Sequence, residues 1–221
     1  MIEREAFTLC GLTFNGETLK MTWLAMAVVI GIACLATRNL KLVPTTWQNI
    51  VEMIVVWLHE QVESAMGRRG RVLAPFIVSL FMFLLVSNLL GLIPTLASPT
   101  NDINTTLGLA LVVVGMVHVL GLYFKGTHYI AHFFQPFKIF IIINLIEEIA
   151  KPLTLAFRLF GNILAGEILI IILLKLVPWW MPIPSVFWLM FSIFVGFVQS
   201  VVFTMLSTAY LANAVKEDEH E

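Results

Sequence analysis

The chain has 221 residues, of which 59% are hydrophobic and only 12% charged. Soluble domains average about 25% charged residues, so this composition excludes an ordinary water-soluble domain and points to a membrane. The net charge is -1 and there is no basic block, which leaves no surface suited to nucleic acid.

The first twenty residues mix Glu3, Arg4, Glu5, Glu17 and Lys20 with short apolar stretches. That is not the layout of a removable signal peptide, so the first span is expected to direct insertion. Residues 1–18 read as an outer N-terminal segment. Residues 19–37 are near the ~20 needed to cross a bilayer and end at Arg38 and Lys41. In 46–66, Ile50, Val51, Ile54, Val55, Leu58 and Val62 recur at helical spacing, interrupted by Glu52, His59, Glu60 and Glu63. Such a pattern predicts an amphipathic helix at the membrane surface. Arg68, Arg69 and Arg71 follow, then a second span over 72–93. After the polar turn 94–104, with Asn104 as a candidate helix cap, comes a third span over 105–124.

A connector, 125–138, contains His128, His132, Gln135 and Pro136. Apolar character then runs over 139–177, which as a helix would reach roughly 57 Å against a hydrocarbon thickness of about 30 Å. The segment must therefore tilt strongly, or bend near Pro152. After the turn 178–184, residues 186–215 are again too long for an upright span, and 216–221 form an acidic tail. The expected fold class is an all-α polytopic membrane protein, one membrane domain over 1–221. It has about five transmembrane helices plus one interfacial amphipathic helix, and the last two helices form a long tilted hairpin. Lys and Arg crowd residues 38–71 and flank 125–138, whereas 94–104 and 178–184 have none. The bias puts the N-terminus outside and the C-terminus in the cytoplasm of a plasma membrane.

Within the long segment Arg158 carries a charge at any physiological pH. Placing it near a bilayer centre costs roughly 2.5–3.5 kcal/mol or more, a cost that calls for a partner or a task. Asn162 lies one turn after Arg158 on the same face. Lys151 and Glu147 fall within about 20° of that line, and Glu167 lies about 180° away. In the last helix Ser192, Gly196, Gln199, Phe203, Ser207 and Tyr210 recur at spacings of three and four. Gln199 is the strongest polar group there and wants a partner or water. Asn88, His118 and Asp102 are candidates for a polar route to the outer side, and Glu147 and Glu148 for a route inward. Each also has a plainer reading. Lys151 can pair with Glu147, Gln199 and Asn162 can join helices, and Ser207 can be a packing hydroxyl. Arg158 itself can be a structural ion pair with Glu147 or Glu148.

Several matches carry no function. His59-Glu60-Gln61-Val62-Glu63 lacks the second histidine of a zinc-protease motif, and Asn104-Thr105-Thr106 fits a glycosylation sequon that is common by chance. Cys10 and Cys34 are isolated and lack metal spacing. With no phosphate-binding loop and no nucleophile–base pair, the chain is expected to bind no nucleotide by that route, to need no cofactor and to catalyse nothing alone. A carrier binding an anionic substrate at Arg158 is a rival reading, although no internal repeat is visible. A purely structural membrane subunit is a second.

Arg158-Leu-Phe-Gly-Asn-Ile-Leu-Ala-Gly-Glu167 resembles the signature of the a subunit of F-type ATP synthases. The likeness extends to Ser87-Asn-Leu-Leu-Gly-Leu-Ile-Pro94, to Asn104-Thr-Thr-Leu-Gly-Leu109, and to Gln199 with Tyr210-Leu-Ala. The connector Gln135-Pro-Phe is similar to that of bacterial members. The resemblance implies a stationary proton-path subunit beside a rotating ring of c proteolipids, with peripheral-stalk b subunits and lipid as further partners. Protons are the implied ion, with sodium the alternative. It assigns the essential arginine to Arg158, with Asn162, Glu167 and Gln199 beside it on the path. Some bacterial members carry a histidine about two turns before that glutamine, where this chain has Ser192.

Overall fold

A computed structural model of the chain describes residues 6–9, 12–38, 46–93, 96, 98–126, 129, 140–176 and 183–215. The connector histidines His128 and His132, the turn 178–182 and the tail 216–221 lie outside them.

Helices dominate because a chain in hydrocarbon must satisfy its backbone N–H and C=O groups internally. Six are present among the described residues: α1 (Gly16–Thr37), α2 (Thr46–Met66), α3 (Ala74–Leu90), α4 (Ile103–Lys125), α5 (Phe140–Leu176) and α6 (Ile183–Val215). Before them, β1 (Ala6–Leu9) and β2 (Leu12–Asn15) pair antiparallel in a small hairpin, with Phe7 opposite Phe14. Nothing in the polar–apolar mixture of the first eighteen residues signalled that hairpin, and α1 starts three residues earlier than the apolar run. Four helices, α1, α4, α5 and α6, have spans long and apolar enough to cross a membrane, and the α2–α3 pair raises the number to as many as five. The fold is a multi-pass α-helical membrane protein.

α2 buries one side of its C-terminal half, while Ile50 and Val55 in its first half are exposed. Leu58, Val62 and Met66, each four residues apart, are buried, while Glu52 and Glu60 are exposed. The chain then bends by 115° between 47–72 and α3. Gly67 takes φ +64°, a conformation that costs a side-chain-bearing residue, and α2 ends there. A 3-10 turn, Gly67–Val72, carries Arg68, Arg69 and Arg71 through the bend. Arg71 grips Glu63 with Nη2 at 2.6 Å and Nε at 3.2 Å, and the guanidinium holds that carboxyl below the usual carboxylate range.

Two apolar cores hold the bundle. One joins Val62 and Met66 of α2, Ile77 of α3, Val117 of α4, and Leu211 and Val215 of α6. The second joins Leu80 and Leu84 of α3, Val113 of α4, Leu155 and Leu159 of α5, and Phe203 of α6. α6 therefore runs along α3 and α4, and α5 lies against α4 and α6. α5 continues unbroken through Pro152, so its 37 residues extend about 55 Å. Antiparallel pairing of the hairpin is visible in two bonds across it, Asn162 to Gln199 at 2.8 Å and Trp188 to the Gly166 carbonyl at 3.4 Å.

Candidate functional site

Toward the C-terminal end of α5 lies a cavity of about 500 Å³ between α3, α5 and α6. Asn88, Asn162, Glu167, Ser192 and Gln199 line it together, from three helices. The face geometry of α5 explains how. Asn162 donates Nδ2–H to the Gln199 Oε1 across the hairpin, and Glu167, five residues on, lines the same cavity. Gln199 is 5% exposed, and its Nε2 has no partner among the described residues. Two N–H bonds that a buried amide would otherwise lose are strong reason for water here.

Asn88 is the structural hinge of the cavity. It is buried, donates Nδ2–H to the Gly196 carbonyl at 3.0 Å and to Ser200 Oγ at 3.1 Å, and accepts from Thr100 Oγ1 at 3.2 Å. Thr100 belongs to a 3-10 turn, Pro99–Asn101, whose capping residue Ser98 donates its hydroxyl to the Ser87 carbonyl at 2.9 Å. On the same turn Asn101 donates its amide N–H to Glu167 Oε2. Asn101, Thr100 and Ser200 did not stand out in the sequence. The turn was recognisable as polar, but its neighbour 66 residues later was not.

Three expected positions lie apart from this cavity. Asp102 does not line the cavity: it caps α4, accepting from Asn104 N–H at 2.9 Å, and accepts from Thr18 of α1 at 3.2 Å. The cap is therefore Asp102 and not Asn104, because the helix starts one residue before Asn104. His118 does not line the cavity with Asn88. It lies fifteen residues into α4, about 22 Å from the capped end. Ser207 bonds the Phe203 carbonyl one turn back at 2.8 Å and is wholly buried, a packing hydroxyl.

His118 instead belongs to a second polar cluster at the other end of α5. Its Nδ1 is 2.8 Å from the Tyr129 hydroxyl and its Nε2 3.6 Å from Glu148 Oε2. Lys151 binds Glu148 Oε1 and lies 3.4 Å from Glu147 Oε1. Its Nζ also sits 5.9 Å above the Tyr210 ring, a cation–π approach. Burial, with Glu148 adding, pushes the Tyr129 phenol above its usual value. The plainer reading of Lys151 is thus realised, with Glu148 as the nearer of its two acids.

Arg158 falls between the clusters, about 15 Å from Glu148 and about 14 Å from Glu167 along α5. It is exposed, and among the described residues it has neither hydrogen bond nor ion pair. Glu147 and Glu148 are taken by Lys151, so the internal ion pair that would have made Arg158 merely structural is not formed. Near it on α5, Leu153, Thr154, Phe157 and Gly161 are exposed as well. Gly161 beside it would have open space around an added Cβ.

The chain matches the family model described as ATP synthase A chain over residues 19–212. It is 49% identical over 219 residues to ATP synthase subunit a of Desulforamulus reducens, covering 95% of this chain and 84% of that protein. Against ATP synthase subunit a 2 of Syntrophotalea carbinolica it is 42% identical over 200 residues, 89% of this chain and 84% of the other. ATP synthase subunit a of Acidothermus cellulolyticus is 38% identical over 218 residues, with coverage of 95% and 80%. Together with the helical architecture and the two polar clusters flanking Arg158, these matches make the chain a member of the ATP synthase A chain family.

Proposed function

We propose that this non-catalytic, proton-translocating membrane subunit of an F-type ATP synthase works by two dead-end water paths separated by Arg158. The outer path is the cavity lined by Asn88, Asn162, Glu167, Ser192 and Gln199. The inner path runs by Glu147, Glu148 and His118. With the N-terminus outside and the C-terminus in the cytoplasm, protons enter by the first, neutralise a carboxylate on a c-ring proteolipid, and leave by the second. The peripheral-stalk b subunits hold the chain still against the ring.

One observation carries this reading: Arg158 is an exposed cation with no partner among the described residues, on an exposed stretch of α5 between two polar clusters. A cation left without an internal partner at that depth needs an external one. A rotor carboxylate supplies it. At close approach a guanidinium favours the ionised acid by about 1–3 pKa units, or about 1.4–4 kcal/mol. That is of the order of the ~2.3 kcal/mol gained per charge per 100 mV, so a rotor carboxylate is neither trapped nor indifferent.

Membrane vesicles containing the complete synthase test the reading. Arg158→Lys is expected to abolish proton-driven ATP synthesis, because a buried ammonium can shed its proton and lacks the planar fork. Near-normal synthesis by assembled Arg158→Lys complexes would overturn it.

A further inference from the structure

The Glu167 carboxylate meets an amide, Asn101, that comes from a different part of the chain and is held in place on three sides. Asn101 ends the Pro99–Asn101 turn, and its backbone N–H donates to the Ser98 carbonyl at 3.1 Å. Ser98 is fastened to the Ser87 carbonyl, and Thr100 to Asn88, so the turn is clamped onto the outer end of α3. Pro99 and Thr100 are both buried. The side chain projecting from this fixed turn donates Nδ2–H to Glu167 Oε2.

The other half of the same amide is the second observation. Asn101 Oδ1 is buried and has no hydrogen-bond partner among the described residues. An amide offers donors on one atom and an acceptor on the other, whereas an ionised carboxylate only accepts and a protonated one also donates. Toward the ionised Glu167 the Nδ2–H group is the right face, and that is the bond observed. Once Glu167 carries a proton, rotation of the amide about its terminal bond brings the unused Oδ1 to the acid O–H.

We infer that Asn101 is a positioning residue of the outer proton path, holding Glu167 in both its ionised and its protonated state by turning its amide. The inference rests on the assignment of Glu167 to that path. It gives Glu167 a neutral partner that cannot compete for the proton, in a chain where Ser192 also offers only a hydroxyl to the cavity. Asn101 holds the carboxylate in register with the cavity without trapping the ion, because its bond survives the change of charge.

The test is a double-mutant cycle in the complete synthase, reading proton flux through vesicles at a series of outer-side pH values. Asn101→Leu, of similar size but without donor or acceptor, is expected to slow flux about tenfold, the scale of one hydrogen bond to a charged group. In the Glu167→Gln background the same change is expected to cost nothing further, since the two residues act as one unit. Equal losses in both backgrounds, or no loss from Asn101→Leu alone, would overturn the inference. Should the leucine variant not assemble, Asn101→Asp keeps the shape. It is expected to change the outer-pH profile of flux, and the change is expected to vanish when Glu167→Gln is added. A profile that stays unchanged, or one altered equally in both backgrounds, would sink the inference. Unimpaired flux with Glu167→Gln alone strikes the underlying assignment instead, and is thereby distinguished from failure at Asn101.

Discussion

Two cations seven residues apart on α5 have opposite fates. Lys151 is satisfied three times over, by Glu148, Glu147 and the Tyr210 ring, whereas Arg158 has no partner among the described residues. The difference follows from where each acid lies. Glu147 and Glu148 are one turn before Lys151, within reach of its flexible stem, while Arg158 is about 15 Å beyond them along the helix axis. Removing Lys151 would leave Glu148, largely buried and with Oε2 already lacking a hydrogen bond, as an uncompensated charge. We expect Lys151→Met to destabilise the assembled complex by about 1–3 kcal/mol, the usual cost of an orphaned buried acceptor. Adding Glu148→Gln should recover much of the loss, because the charge is then gone along with its partner. Melting of the detergent-solubilised complex reads both. If the double variant melts lower than the single one by the sum of two independent losses, Lys151 does not exist to neutralise Glu148.

At the level of elements, the site depends on how closely the Pro99–Asn101 turn docks on α3. Gly91, just past the end of α3, allows this: a Cβ there would lie 2.5 Å from the Ser98 Cβ, closer than real atoms come. Ser98 is the residue that ties the turn to Ser87, so Gly91→Ala must push the turn away and carry Thr100 and Asn101 with it. The expected cost is about 1–3 kcal/mol in stability, as for other overpacked positions, together with slower proton flux. Flux and melting both unaffected would mean that the turn can shift without loss. Gly91 lay within Ser87–Pro94, a block whose likeness to the family was visible although its reason was not. The spans themselves were readable, because apolar runs bounded by charge and turn residues leave few choices in hydrocarbon. The overlong hairpin followed from length alone. Contacts between distant elements did not. Asn101 finds Glu167, and His118 finds Glu148, through packing of helices whose relative rotation no single run of residues reveals. For His118 the polarity was evident in the run of residues, whereas its partner lies thirty residues away. The first hairpin, Ala6–Asn15, was missed because short strands beside a membrane span carry no strong alternation.

For the whole molecule, the decisive quantity is the distance between the polar clusters. Glu148 and Glu167 are nineteen residues apart on one continuous helix, about 28 Å, against a hydrocarbon thickness of about 30 Å. Because an element this long must tilt or bend to fit the hydrocarbon, the clusters are closer than that along the membrane normal. Each needs a water path to its own surface, while the intervening stretch of α5 holds Arg158 on its exposed face and Leu155 and Leu159 in the core. If the paths end on either side of this stretch, only a fixed charge and the ring's own carboxylates stop protons from crossing directly. A proton hopping past Arg158 must approach a permanent cation in a medium of low dielectric, where repulsion is far stronger than in water. Replacing Arg158 by alanine removes that repulsion and opens space at the same point. Arg158→Ala is therefore expected to do two things together: abolish ATP synthesis, and raise passive proton leak through assembled complexes by tenfold or more, the factor gained for each ~1.4 kcal/mol taken off a barrier. Arg158→Lys, which keeps a cation for part of the time, should abolish synthesis with a smaller leak. Dissipation of an imposed pH gradient across vesicles, in the absence of ATP, separates the two variants. Lost synthesis with no leak in Arg158→Ala would leave the arginine a role in attracting the rotor carboxylate but none in keeping the two paths apart.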